Sequence, residues 1–360
     1  MSHVDEGGAE QCWERRVGRR TLRPRVVLQV AAIVAVVFFA YRERDLFTGL
    51  TSRMSGLAWY WILPAFVLEL ASIPPLAEAQ LIILRAGGTN VDRWQMIQVT
   101  MASNAVAMSI PAGVAVAEGY AYSRYRRLGA SPAVAAWAEL ASGALAFAAL
   151  ATVALAGAVV AGGPPARVLL PILSVVVAGS FAAAGLFRHP HILISAVDWL
   201  SVHVGRRLGP VIARAATRVR DLSHQLTFTH PPVSTWVAAF GLSVVNWMLD
   251  VACLALAFEA VHASIPWGAV LLAFAGSKVV SSIGVTPGGL GVVEGGLIAT
   301  FVAYGTPGPA ATAAVLVYRG LVFVGLVGVG WLAAAALALR ERAAAPATPA
   351  RPARPPGARR

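Results

Sequence analysis

Apolar runs of membrane-spanning length recur along the chain from residue 26 to residue 339, separated by short polar loops. A helix needs about 20 mostly apolar residues to cross a bilayer. The pattern predicts full spans near 26–41, 57–84, 131–161, 168–187, 235–261 and 310–339. Two other apolar stretches are interrupted: 94–122 by Asn104 and Pro111, and 267–304 by Pro287-Gly288-Gly289-Leu290-Gly291. Between 188 and 233, Leu193, Val197, Leu200, Val204, Leu208 and Val211 repeat at three- and four-residue spacing, with Arg206, Arg207, Arg214, Arg218 and Arg220 on other faces. That spacing predicts an amphipathic basic connector, either lying on the cytoplasmic membrane surface or packing its apolar stripe on the bundle. Residues 1–25 read as a basic cytoplasmic tail, 26–339 as the transmembrane domain, and the Ala/Pro/Arg-rich residues 340–360 as a disordered tail.

Composition narrows the class. Of 360 residues, 58% are hydrophobic and 13% charged, against about 25% charged in soluble proteins. Mean hydropathy is +0.68. A soluble enzyme, a secreted disulfide scaffold and a disordered chain are excluded, leaving an all-α polytopic membrane protein. The formal charge is +12, and Lys278 is the single lysine among 29 basic residues. Arginines crowd both ends, which places the termini on the cytoplasmic side, against anionic lipid. No aromatic-interleaved basic groove calls for a nucleic-acid partner. Cys12 and Cys253 are too few and too far apart for a metal site. No Walker motif or nucleophile elbow is present, so neither metal, cofactor nor nucleotide is expected.

The two interrupted segments align at an offset of 176 residues. Pro111-Ala112-Gly113-Val114-Ala115-Val116-Ala117-Glu118-Gly119 matches Pro287-Gly288-Gly289-Leu290-Gly291-Val292-Val293-Glu294-Gly295 at five of nine positions, including the proline and the glutamate. If both segments are re-entrant hairpins, six full spans remain. Arg124, Arg126, Arg127 and the Arg-rich connector then fall inside, as the positive-inside rule requires. The first hairpin enters from the cytoplasm and the second from outside. The expected fold is therefore about six transmembrane helices plus two re-entrant hairpins in an inverted repeat, with both breaks facing a cavity.

Charges inside apolar segments are costly, by roughly 2.5–3.5 kcal/mol each on insertion scales, and are usually paired or functional. Glu69, Glu78, Glu118, Glu139, Asp250, Glu294, Lys278 and Arg319 are such residues. Glu78 and Glu139 are expected to be solvated near the membrane interface. Glu118 and Glu294 stand at matched repeat positions. Lys278 and Arg319 suit a lipid phosphate, although Arg319 is equally suited to pair with Asp250 or Glu294. Gly320, Gly325, Gly328 and Gly330 read as helix-packing positions.

The stretch Thr286-Pro287-Gly288-Gly289-Leu290-Gly291-Val292-Val293-Glu294 resembles the transmembrane flippase region of lysylphosphatidylglycerol synthetases and its stand-alone relatives. Asn104, Pro111-Ala112-Gly113 and Arg126-Arg127-Leu128-Gly129 are similar to the same family in the first half. The resemblance covers about residues 25–340. It implies a multi-pass protein of the bacterial plasma membrane that moves a phospholipid, glycolipid or polyprenyl-phosphate-linked lipid between leaflets. The translocation site would involve Asn104, Pro111, Glu118, Glu69, Asp250, Lys278, Pro287, Gly288, Gly289, Gly291, Glu294 and Arg319. The short tail after 339 leaves an aminoacyltransferase domain unexpected, and so no enzyme activity is expected. Other readings are an ion-coupled small-solute carrier, a membrane enzyme of lipid-linked sugar metabolism, or a non-catalytic partner of an envelope-synthesis complex.

Overall fold

The computed structural model describes residues 56–163, 231–284 and 286–344, together with 171, 174 and 179. The predicted spans at 26–41 and 168–187, the connector and both tails lie wholly or almost wholly outside these residues. Among the described residues the protein is all-helical. Four stretches are long and apolar enough to cross a membrane: Trp59–Ala86, Pro132–Val160, Val233–Ala260 and Gly308–Arg340. The last helix runs on to Ala344, past the boundary expected at 339.

The first rod consists of α1 (Trp59–Ala71) and α2 (Ile73–Ala86), joined at Ser72. Pro74 and Pro75 remove two backbone donors at this joint. The Ser72 hydroxyl donates to the Glu69 carbonyl at 2.7 Å, fixing the Ser72 side chain at the joint. A pair of shorter helices follows, α3 (Arg93–Ser109) and α4 (Gly113–Arg127). The Asp92 carboxylate caps α3 by accepting the Trp94 and Gln95 N–H groups. The long α5 (Pro132–Val160) starts at a Ser131 cap with proline in its first turn.

The same order then returns. The long α6 (Val233–Ala260) leads into α7 (Trp267–Ile283), a 3₁₀ turn at Pro287–Gly289, and the short α8 (Val292–Ala303). Next come α9 (Gly308–Val322), a π-helical segment (Phe323–Gly328) and α10 (Val329–Ala344). The 176-residue offset holds in the backbone. Ala112 and Gly288 are both left-handed, at φ 53° and 55°, and so are Gly129 and Gly305, at 96° and 87°. Helices α5 and α9 begin at Pro132 and Gly308, positions separated by that same offset.

The equivalent rods run antiparallel. Ala58 N–H donates to the Ala260 carbonyl at 2.8 Å, so one rod starts where the other ends. At mid-length the Asn246 amide donates to the Ser72 carbonyl at 2.9 Å. The remaining packing exchanges between the halves: α7 lies on α5 through Gly157 and Gly268, and α10 lies on α3 through Gly330. The two breaks meet each other. Ala112 N–H donates to the Gly284 carbonyl at 2.8 Å, and Gly288 abuts the Met108 backbone.

Small residues face inward and many large ones outward. Trp59, Leu63, Val233 and Leu332 are two-thirds or more exposed, which suits helices solvated by lipid. One core gathers around Phe258, Phe274, Phe301 and Tyr318. A second gathers around Leu84, Met96, Tyr125 and Trp137.

Of the four glycines expected to pack helices, Gly330 and Gly325 do so. A Cβ at Gly330 would lie 2.4 Å from the Met101 carbonyl oxygen, and one at Gly325 would lie 3.1 Å from the Phe66 ring. Gly320 and Gly328 have nothing within 4 Å, because they point away from neighbouring helices. Gly330→Ala is therefore expected to destabilise the fold by roughly 1–3 kcal/mol, the usual cost of overpacking. Gly320→Ala should be neutral, or stabilising by up to about 1 kcal/mol through helix propensity. Thermal unfolding of both variants in detergent checks the pair.

Candidate functional site

The second break is held by one guanidinium. Gly288, Gly289 and Gly291 all have positive φ, a path that is inexpensive for glycine alone. Pro287 starts the 3₁₀ turn that presents the Gly288 carbonyl. Arg319 on α9 reaches across and donates to that carbonyl at 2.7 Å. Its Nε meets the Glu294 carboxylate at 2.5 Å, and the other Glu294 oxygen accepts the Gly291 N–H at 2.6 Å. Acidic charge in the first turn of α8 also complements the helix dipole. Arg319 thus pairs with Glu294 and not with Asp250, and its cation lies over the Phe323 ring at 4.8 Å.

Asp250 has its own partners. On α6, 4% exposed, it accepts from Lys278 at 2.5 Å and from the Tyr318 hydroxyl at 2.7 Å. Lys278 lies 4.9 Å above the Phe274 ring and 5.5 Å above Trp247. Glu69, at the C-terminal end of α1, belongs to the same cluster beside Asp250, Lys278 and Cys253. It is fully buried, and neither carboxyl oxygen has a hydrogen-bond partner among the described residues.

The first half carries different chemistry. At the repeat offset, Arg319 corresponds to Gly143 and Lys278 to Ala102. Glu118, the counterpart of Glu294, therefore meets no arginine from that position. It lies instead beside Glu139 and Tyr125. Glu139 departs from the expectation of a solvated side chain: one of its oxygens is buried without a hydrogen-bond partner among the described residues. The cause is the close packing of α4 on α5. Glu78 is nearer the expectation, forming a surface ion pair with Arg93 at 3.0 Å. Asn104 donates to the Thr100 carbonyl within α3 at 3.0 Å, and Pro111 stands at the break.

Several of these groups line one cavity of about 300 Å³ at the meeting of the two breaks. Its charged lining is Glu69, Glu118, Glu139, Asp250, Lys278 and Arg319, with Gly288 at the second break. Pro111, Pro287, Gly289 and Gly291 shape the breaks without lining the cavity, and Glu294 acts through Arg319. Reading the sequence missed Tyr318, Gln80 and Thr100. Tyr318 stands beside Arg319 in sequence, but nothing local signals that its hydroxyl reaches Asp250. Gln80 accepts a hydrogen bond from the Thr100 hydroxyl at 2.8 Å, a cross-helix pairing without a sequence pattern.

Breaking a buried ion pair costs more than replacing it, because the surviving charge is left uncompensated. Arg319→Leu should lower stability by about 3–5 kcal/mol. The double variant Arg319→Leu/Glu294→Gln should recover a measurable part of that loss. A double-mutant cycle of unfolding midpoints in detergent tests the coupling, and strict additivity would contradict it.

Comparison with curated proteins gives no match. The family model for the lysylphosphatidylglycerol synthase TM region matches residues 26–330 and so includes both helix breaks, all four candidate spans except the end of the last, and every charged residue of the cavity. The chain is a membrane protein belonging to the lysylphosphatidylglycerol synthase TM region family.

Proposed function

We propose that the protein moves a lipid with a phosphate-bearing headgroup between the leaflets of the bacterial plasma membrane. The observation that carries this reading is the cavity, placed where two broken helix pairs meet and lined by charge inside an apolar bundle. Its volume of about 300 Å³ stands at the lower end of small-molecule sites, roughly 300–1,000 Å³. That suffices for a headgroup, while the acyl chains stay in the bilayer.

The architecture behind this reading is an inverted repeat with two re-entrant hairpins. In its favour are the antiparallel equivalent rods and the matched left-handed residues at Ala112 and Gly288. The reciprocal contacts, Ala112 on Gly284 and Gly288 on Met108, fit an approximate two-fold axis between the breaks. In such a repeat each hairpin opens toward one side of the membrane, and headgroup passage requires the two tips to part.

The two cations have different tasks. Arg319 has 9% of its side chain accessible and braces the second break. Lys278 has 23% accessible and faces the cavity. It is the cation able to turn from Asp250 to a phosphate oxygen. A carrier for a small phosphate-bearing solute would use the same groups, and the cavity's small volume is the one feature favouring it. Leaflet exchange separates the two readings.

The test is exchange of fluorescent phospholipids in liposomes, read by external quenching, with lipid-linked sugars as a second substrate set. Faster exchange than in empty liposomes is expected. Glu294→Gln and Pro287→Ala should each slow it at least about tenfold, the effect of roughly 1.4 kcal/mol on a barrier. Unchanged exchange in folded Glu294→Gln would remove that residue from the pathway. Uptake of a soluble phosphate ester without lipid exchange would favour the solute carrier.

A further inference from the structure

We infer that Glu69 is a proton-binding site whose loading and release control the Lys278–Asp250 ion pair. The control of lipid movement by this proton rests on the function proposed above; the proton site itself does not.

The geometry is unusual in one respect. Two carboxyl groups, Glu69 and Asp250, stand beside one ammonium, Lys278. Asp250 takes the hydrogen bonds, from Lys278 at 2.5 Å and from Tyr318 at 2.7 Å. Glu69 takes none among the described residues, although it lines the cavity and has 0% exposure. An ionised carboxylate without hydrogen bonds or a counter-charge of its own is among the costliest groups to bury. The described arrangement is that of a neutral Glu69 carboxyl beside an ionised Asp250.

Every facing group fits this assignment. Helix α6 presents Asp250 and Cys253, α7 presents Lys278, and α9 presents the Tyr318 hydroxyl. The π-helical segment carries no titratable side chain, and an added Cβ at its Gly325 would lie 3.8 Å from the Glu69 side chain. No second cation among these groups serves Glu69. A single proton therefore decides where the ammonium goes. With Glu69 protonated, Lys278 stays on Asp250 and ties α7 to α6. When the Glu69 O–H bond breaks and the proton passes to cavity water, two carboxylates compete for Lys278 and repel each other. That weakens the tie between α7 and α6 and draws water into the cavity. Return of a proton from water re-forms the O–H bond. No electron transfer is involved.

The position gives the switch its leverage. Glu69 lies three residues before the Ser72 joint, whose carbonyl takes the Asn246 hydrogen bond at the middle of the antiparallel rods. Lys278 lies on the helix that ends at Gly284, which holds the other break through Ala112. One titration thus acts on the rod joint and on the contact between the breaks.

The test uses the full chain in phosphatidylglycerol/phosphatidylethanolamine liposomes, with Glu69→Gln and Glu69→Asp beside the wild type. Infrared pH-difference spectra need no lipid movement. The wild type should give a protonated-carboxyl C=O band that converts to carboxylate as pH rises. Glu69→Gln should lack this band, and Glu69→Asp should shift it, which keeps the test open if the glutamine variant does not fold. Lipid exchange should then depend on pH in the wild type and lose that dependence in Glu69→Gln.

A band that persists unshifted in the Glu69 variants, or that ignores pH, overturns the inference. Wild-type exchange that follows sodium concentration at fixed pH, or that is indifferent to pH, overturns the control of lipid movement by this proton. A titrating Glu69 band in liposomes that exchange no lipid overturns the lipid reading instead and leaves the proton site standing.

Discussion

Where a helix breaks inside an apolar bundle, the backbone groups it frees must find protein partners, because lipid supplies none. Here two breaks face each other, and much of the remaining structure follows from how they are satisfied. Ala112 N–H binds the Gly284 carbonyl, and the Gly288 carbonyl is taken by Arg319. Once Arg319 is committed to that carbonyl, its charge requires an acid, and Glu294 meets it while also capping the first turn of α8. A buried cation, a buried acid and a run of positive-φ glycines thus form one unit. Removing any of them leaves another unsatisfied.

The halves share a backbone plan but not a charge plan. The left-handed residues, helix starts and reciprocal contacts recur at the offset of 176 residues, whereas the two cations that line the cavity, Lys278 and Arg319, both belong to the second half. Glu118 keeps the place of Glu294, yet Gly143 stands where an arginine would meet it. The result is a cavity whose second-half side is braced by ion pairs and whose first-half side collects carboxyl groups without cations from the matching positions. Under the lipid-moving function proposed above, such an asymmetric lining on a near-symmetric scaffold would let the two ends of the path perform different steps.

Much of this was legible in the sequence because it rests on local rules. Proline and glycine mark the breaks, apolar length marks the spans, and the shared Pro and Glu mark the repeat. Membership of the family was legible in residues 286–294, and the family match over 26–330 bears it out. What was not legible depends on distance in space. Nothing near Arg319 says whether Glu294 or Asp250 will meet it; the path of α9 past the second break decides. Glu139 looked like an interfacial acid because its neighbours along the chain are unremarkable, and its burial comes from α4 folding back on α5. The same holds for Tyr318, whose hydroxyl crosses to another helix. That the Glu69 carboxyl has no hydrogen-bond partner among the described residues, although Asp250 and Lys278 stand beside it, is a property of its surroundings, which no spacing rule records.

The central claim is that the contact between the two breaks closes the path of the headgroup. It is tested most directly by locking that contact. In a Cys12→Ser/Cys253→Ala background, cysteines at the exposed positions 110 and 283, on either side of the Ala112–Gly284 hydrogen bond, would be joined by a bis-maleimide cross-linker with a disulfide in its spacer. Lipid exchange should stop on cross-linking and return when the spacer is reduced. Exchange that continues with the breaks covalently joined would show that lipid takes another route.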